Sequence, residues 1–293
     1  MSEHDDALDR HLRRANVAAD LQRWTAVERE ARAALALAPD HVDAMLVLAH
    51  SLSAQSRQQE SADVAREAVA RAPDDAFAHY RVGYALLMHN LPLEALAPLR
   101  EAVRLDPDCG CYAATLAYCL AEADIEPGEQ RSLAALALEL SGVELWTSDY
   151  VGLTYCCLGD GIEAERVARM CIEAEPEVDI NHLVLAWALR LQGKTADAME
   201  AALVCLRLCP TNSGAHVEHA LGLCALGAFD EAERIARAAV VDTPRAWEQH
   251  HALLTILVAR GEREAAKTAL DEALAINAAH PRMRALRRLV EEA

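Results

Sequence analysis

A chain of 293 residues with a formal net charge of −18 is poorly suited to nucleic acid, because phosphate backbones need a basic surface that releases counterions. The same charge argues against an anionic membrane surface, and no run of about 18 apolar residues occurs that could span a bilayer. Apolar residues make up 53% of the chain, ample for a core, and the dominance of Ala and Leu over β-branched residues favours helix.

The chain begins MSEHDDALDRHLRR, which lacks the apolar stretch a secretory leader needs. Nine cysteines, an odd number scattered along helical stretches, fit a reduced compartment. Both features predict a cytoplasmic protein. From there onward the prolines mark a period. Pro39, Pro73 and Pro107 are 34 residues apart, and so are Pro176, Pro210 and Pro244. The interval of 69 from Pro107 to Pro176 is 34 plus 35, so one repeat without a terminal proline ends near Ser141-Gly142. Eight repeats follow, at about 6–39, 42–75, 76–109, 110–143, 145–178, 179–212, 213–246 and 247–280. They predict one solenoid over 1–293, with 281–293 as a capping helix.

Each repeat reads as two helices. In DINHLVLAWALRLQGKTADAMEAALVCLRLCP (179–210) apolar residues recur at three- and four-residue steps. Gly193 sits between the two helices, where the chain must enter the left-handed region, and Gly159, Gly227 and Gly261 hold the same place. Earlier repeats carry Gln22, Ser56, Asn90 and Asp124 there, of which only Asn and Asp accept that conformation readily. The closing proline stops the second helix, and Asp40, Asp74, Asp108 and Thr211 are the expected caps of the next. Small residues recur where helices must approach closely, as at Ala15, Ala49, Gly83, Ala117, Gly152, Ala186 and Ala220. Pro98, inside the second helix of repeat 3, predicts a gentle kink. Repeat 4 is irregular, with one extra residue and a second helix beginning at Glu126-Pro127-Gly128. In the tail, Met283, Leu286, Leu289 and Val290 share one helical face, and Arg282, Arg284, Arg287 and Arg288 cover the rest.

This pattern resembles the tetratricopeptide repeat family over roughly residues 6 to 278, most clearly in LGDGIEAERVARMCIEAEP (158–176) and LGAFDEAERIARAAVVDTP (226–244). The resemblance implies an all-α superhelix of antiparallel helix pairs whose first helices line a concave face. It also implies that repeat positions 2, 5, 6 and 9 point into that groove. Across repeats 3 to 6 these are sixteen residues, of which seven are aromatic: Phe77, Tyr80, Tyr84, Tyr118, Trp146, Tyr150 and Trp187. At 4% aromatic content fewer than one is expected. Leu153 and Leu183 extend this surface, and Leu87 and Met88 lie one turn on. The end repeats place polar residues there, among them Asp43, His50 and Glu248.

Catalysis finds no coherent site in the sequence. No CxxC pair provides structural zinc spacing, and His216, His219, His250 and His251 lack further converging ligands. Phosphate loops, nucleophile elbows and HExxH are absent. The expectation is therefore no enzyme, no metal and no cofactor. The predicted role is an adaptor or chaperone-like scaffold that binds a peptide or helix of a partner protein in the aromatic groove. The alternatives are a scaffold that self-assembles into homo-oligomers and a sensor for a signalling peptide or small apolar ligand. The only lysines are Lys194 and Lys267, outside the first helices, so the family's clamp for a terminal carboxylate is not expected.

Overall fold

The computed structural model describes residues 3–141, 145–278 and 280–291, which form seventeen helices and no strand. The chain divides into two compact units, Met1–Tyr112 and Ala113–Ala293.

The first unit holds three helix pairs: α1 (Glu3–Asp20) with α2 (Trp24–Leu37), α3 (Val42–Ala54) with α4 (Gln58–Arg71), and α5 (Ala76–Met88) with α6 (Pro92–Leu105). Helix α7 (Gly110–Glu122) starts at its end and lies mostly in the second unit, paired with α8 (Pro127–Ser141). The second unit continues with α9 (Leu145–Cys157), α10 (Gly161–Ala174), α11 (Asp179–Leu191) and α12 (Thr195–Leu208). Then come α13 (Ser213–Ala225), α14 (Phe229–Asp242), α15 (Trp247–Arg260), α16 (Arg263–Asn277) and α17 (Pro281–Glu291). Within each unit a first helix packs on its own partner and on the second helix of the preceding repeat, as α5 does on α6 and α4 and α11 on α12 and α10.

Small residues make this stacking close. Ala15, Ala49, Ala117, Ala186 and Ala220 are fully buried, and so are Ala95, Ala164, Ala232 and Ala266 on the facing helices. At Gly83 a Cβ would overlap the Leu99 side chain, so α5 reaches α6 only without one. Between the helices of a pair the chain turns left-handed throughout. Gly159, Gly193, Gly227 and Gly261 have φ of 74° to 85°, and Gln22, Ser56, Asn90 and Asp124 adopt 53° to 61°. Gln22 and Ser56 thus accept a conformation their side chains disfavour, because the Ala-lined interface fixes the approach of the two helices.

The caps lie one residue beyond the expected ones. His41 accepts from the Ala44 amide at 3.3 Å, Asp75 from Ala78 at 3.1 Å and Asn212 from Ala215 at 3.0 Å. The proline and the polar residue after it occupy the turn itself. A second recurrent contact joins the repeats: the rings of His79, His182, His216 and His250 each meet the carbonyl of the proline six residues earlier, at 2.8 to 3.0 Å. The histidines that the sequence offered as weak metal candidates at 216 and 250 are therefore inter-repeat ties. Helix α6 runs on through Pro98. In repeat 4, Glu126 joins Asp124 at positive φ, and the buried Gln130 side chain donates to the carbonyls of Leu120 and Ile125 at 3.3 and 2.7 Å. The predicted irregular end of that repeat falls on residues 142–144, outside the described set. Helix α17 buries Met283, Leu286 and Val290 against α15 and α16.

Candidate functional site

The eleven residues predicted to line a groove fall into two sets, one in each unit. In the first unit all five come from α5. Tyr80 is buried and its ring lies at the centre of a stack: 6.0 Å from Phe77, 5.8 Å from Tyr84 and 5.0 Å from Tyr112. Its hydroxyl accepts from the Cys111 thiol at 3.6 Å, and burial pushes its pKa up. Leu87 is buried as well. Tyr80 and Leu87 therefore support the face from beneath and do not form its surface. Phe77 is 45% exposed, while Tyr84 and Met88 are half-buried. The Arg81 guanidinium, buried beneath this face, lies 5.2 Å from the Tyr84 ring centre in a cation–π contact. Burial, helped by the Arg81 charge, lowers the pKa of His50 to about 4, so that imidazole is neutral at physiological pH. The Trp24 ring meets it at 5.2 Å in a tilted contact.

In the second unit the rings face inward from the row of first helices. Tyr118 of α7 stacks on Tyr150 of α9 at 5.2 Å, and Trp187 of α11 meets Trp247 of α15 at 6.4 Å. Leu153 and Leu183 are half-buried beside them. Trp146 lies in α9, and its side chain is outside the described residues. Burial, with Glu122 and Glu248 adding to it, drives the Tyr118 hydroxyl well above its ordinary pKa.

What the sequence did not reveal is what covers these rings. The row of first helices in this unit closes on itself: the Trp247 indole N–H, at the start of α15, donates to Glu122 Oε2, at the end of α7, at 3.0 Å. The Cys157 thiol lies 3.8 Å from the other oxygen of the same carboxylate. Arg282, assigned by its sequence pattern to the polar face of the capping helix, turns inward instead. Its Nε donates to the Ala121 carbonyl at 2.8 Å, a second nitrogen reaches the Cys157 carbonyl at 3.4 Å, and its guanidinium lies 4.9 Å from the Trp247 ring centre. Glu248, expected to be part of a polar groove end, is half-buried here. Burial first, and the Glu122 charge second, raise its pKa to about 8. The only sequence trace of this centre was a tryptophan at the first position of repeat 8; the contact partners lie 125 residues apart.

The sequence profile of the tetratricopeptide repeat family matches residues 12–76 and 46–108. A chain of the APC/C hetero-tetramer Cut9–Hcn1 superposes with a TM-score of 0.67 at 17% identity, over 94% of this chain and 54% of that one. The human IFIT1 dimer with PPP-AAAA gives 0.66 at 15% identity, over 96% and 73%. Residues 12–108 carry tetratricopeptide repeats, and the helix pairs that follow continue the same fold. The chain spans about half the length of the matched Cut9–Hcn1 chain. No curated protein matches it as a sequence relative.

As in the fold at large, the chain arranges its polar groups for packing. Among the described residues, no group of three or more His, Cys, Asp or Glu stands together as a metal site, and the cysteines form no disulfide. No described helix is long and apolar enough to cross a membrane. Burial raises the thiol pKa at Cys156, Cys157, Cys171 and Cys205, which opposes the thiolate that nucleophilic or metal chemistry needs.

Proposed function

We propose that this tetratricopeptide protein is a scaffold that binds a peptide or helix of a partner protein on the aromatic faces of its first helices. Its fold is that of a protein-interaction scaffold, and the finer reading rests on one observation: Phe77 stands 45% exposed on α5, held by a stack on the buried Tyr80 and followed about two helical turns later by Tyr84. A large ring kept in solvent on a rigid buried base is costly unless something covers it, and such rings are the usual anchors of interfaces. In the second unit Tyr118, Tyr150, Leu153, Leu183 and Trp187 hold the corresponding first-helix positions. The IFIT1 structure carries an RNA-like ligand, but a net charge of −18 opposes that use here.

The test is a double substitution, Phe77→Ala with Tyr84→Ala, in the full chain. Crosslinking followed by mass spectrometry should show protein partners held by the parent chain and lost by the variant, with unchanged circular dichroism. Retention of the same partners at the same yield would remove the first-unit face from the proposal.

A further inference from the structure

The closure of the second unit has a chemistry of its own. Its seat is strongly anionic. Glu122, 5% exposed, accepts from Trp247, and Asp124 lies 4.0 Å from Arg282, while the half-buried Glu248 beside them is kept mostly protonated at neutral pH by burial. The carbonyls of Ala121 and Cys157 belong to the last turns of α7 and α9, so two helix C-termini add their negative ends to the same spot. Against the carboxylates of Glu122 and Asp124 and two helix ends the tail supplies one guanidinium. That guanidinium is bound as a ligand would be, by carbonyl acceptors in its plane and an indole face above it.

The rest of the tail fits less well. His280 is 1% exposed, and although it stands 3.4 Å from Glu122 Oε2, neither ring nitrogen makes a hydrogen bond. A buried imidazole left so is a cost the closed form carries. Helix α17 does not need the closure to stay docked, since Met283, Leu286 and Val290 are buried against α15 and α16. The seat is thus well matched to an arginine and poorly matched to the segment that delivers this one.

We infer that the inner end of the first-helix row in the second unit is a receptor for an arginine side chain on a basic segment of a partner protein, and that Arg282 fills it in the unbound chain. This rests on the scaffold reading above and names the chemistry of the partner. The segment would enter with its guanidinium on the α7 and α9 carbonyls and on Trp247, driving Arg282 out to solvent beside the exposed Arg284, Arg287 and Arg288. The charge of −18 steers a basic segment inward and a nucleic acid away.

The test uses the full chain with Arg282→Ala, which empties the seat and leaves the buried face of α17 intact; Arg282→Met, which keeps an aliphatic stem without the guanidinium, serves if the first variant folds poorly. The probe is a labelled synthetic peptide copying residues 280–291, read by fluorescence anisotropy at low salt. The vacated seat should bind it at least ten-fold more tightly than the parent chain does. The same peptide carrying Arg282→Ala should lose that gain, and so should the double variant with Glu122→Gln. Equal binding by the parent and vacated chains overturns the inference. Equal binding of the two peptides to the vacated chain also overturns it, while leaving a protein-binding face in place; the Phe77 and Tyr84 test then decides the scaffold reading separately. A concentration-dependent dimer of the vacated chain without peptide would assign the seat to a second copy and overturn the partner reading.

Discussion

The two units carry the same repeat and finish their inner faces in opposite ways. In the first, a buried tyrosine holds Phe77 out toward solvent. In the second, stacked rings of the same helix positions are covered by Trp247, Glu122 and Arg282. The repeat consensus does not distinguish these outcomes, because it specifies small residues between helices and says nothing of the positions that face inward. What separates them is a handful of residues outside the consensus: an acid at the end of α7, a tryptophan at the start of α15 and an arginine in the tail. A tetratricopeptide scaffold can therefore keep one aromatic face open and close another with no change in its repeat.

The strongest way to break the comparison is to remove the acid on which the closure converges. Glu122→Ala takes away the acceptor of Trp247 and a carboxylate facing Arg282 and His280, leaving buried donors and a buried cation without it. The expected loss is about 3–5 kcal/mol, read as a lowered urea midpoint. Tyr84→Ala, at a half-buried ring of the open face, should cost about 1 kcal/mol or less. Equal losses would mean that the second-unit closure is no more structural than the first-unit surface.

Gly83→Ala probes what both units share. The added methyl group meets Leu99 across the α5–α6 contact, and overpacking of this kind costs about 1–3 kcal/mol. Ala at the same repeat position in α3 or α11 shows that the spacing, and not the residue type, varies from repeat to repeat. A neutral outcome in thermal denaturation would mean that α6 shifts away without penalty.

The units should also differ in their response to pH. In the first, burial alone would raise the Glu28 carboxyl, but hydrogen bonds from Gln55 and Arg57 outweigh it and hold the pKa below the ordinary value; His11 and Arg29 do the same for Glu30. Depressed carboxylates contribute stability above their unfolded pKa and lose it as pH falls. In the second, burial raises Glu248 to about 8 and Asp149 to about 7, the latter with help from Asp179 and Glu175. Raised carboxyls contribute stability that is full below the unfolded value near 4.5 and is lost as pH rises toward the folded one. Glu248→Gln should therefore stabilise the chain at pH 8 to 9, on the order of 1 kcal/mol, and flatten the decline in melting temperature above pH 5. An unchanged slope would show that Glu248 ionises in solvent.

The period of 34, the helix pairs and the small-residue contacts were legible because each is local or recurs at a fixed interval. Five of the groove residues sit together on α5 for the same reason, since helical spacing fixes which residues share a face. Whether a ring on that face is exposed was not legible: Tyr80 and Phe77 are three residues apart, and only the neighbouring Tyr112 decides which is buried. Still less could the sequence pair Glu122 with Trp247 or turn Arg282 inward. Those contacts depend on how tightly successive repeats curve, which accumulates from small packing differences over four repeats and leaves no periodic trace.

The smallest effect concerns the turn between paired helices, where the units differ in sequence and agree in shape. The first unit uses Gln22, Ser56 and Asn90 at positive φ; from Gly159 on, the second uses glycine. If the left-handed turn is imposed by helix packing, the non-glycine residues hold strain that glycine would release. Ser56 is exposed, with φ of 61°, and its backbone N–H donates to the Ser53 carbonyl at 2.9 Å, a bond that glycine can keep. Left-handed strain of about 1–2 kcal/mol is then offset in part by the greater freedom of glycine in the unfolded chain. Ser56→Gly should raise stability by roughly 0.5–1 kcal/mol, and Gly193→Ala should lower it by a similar amount. Asn90→Gly should gain least, because asparagine already tolerates this region. A loss at Ser56 in urea unfolding would mean that its turn is set by the residue and not by the helices around it.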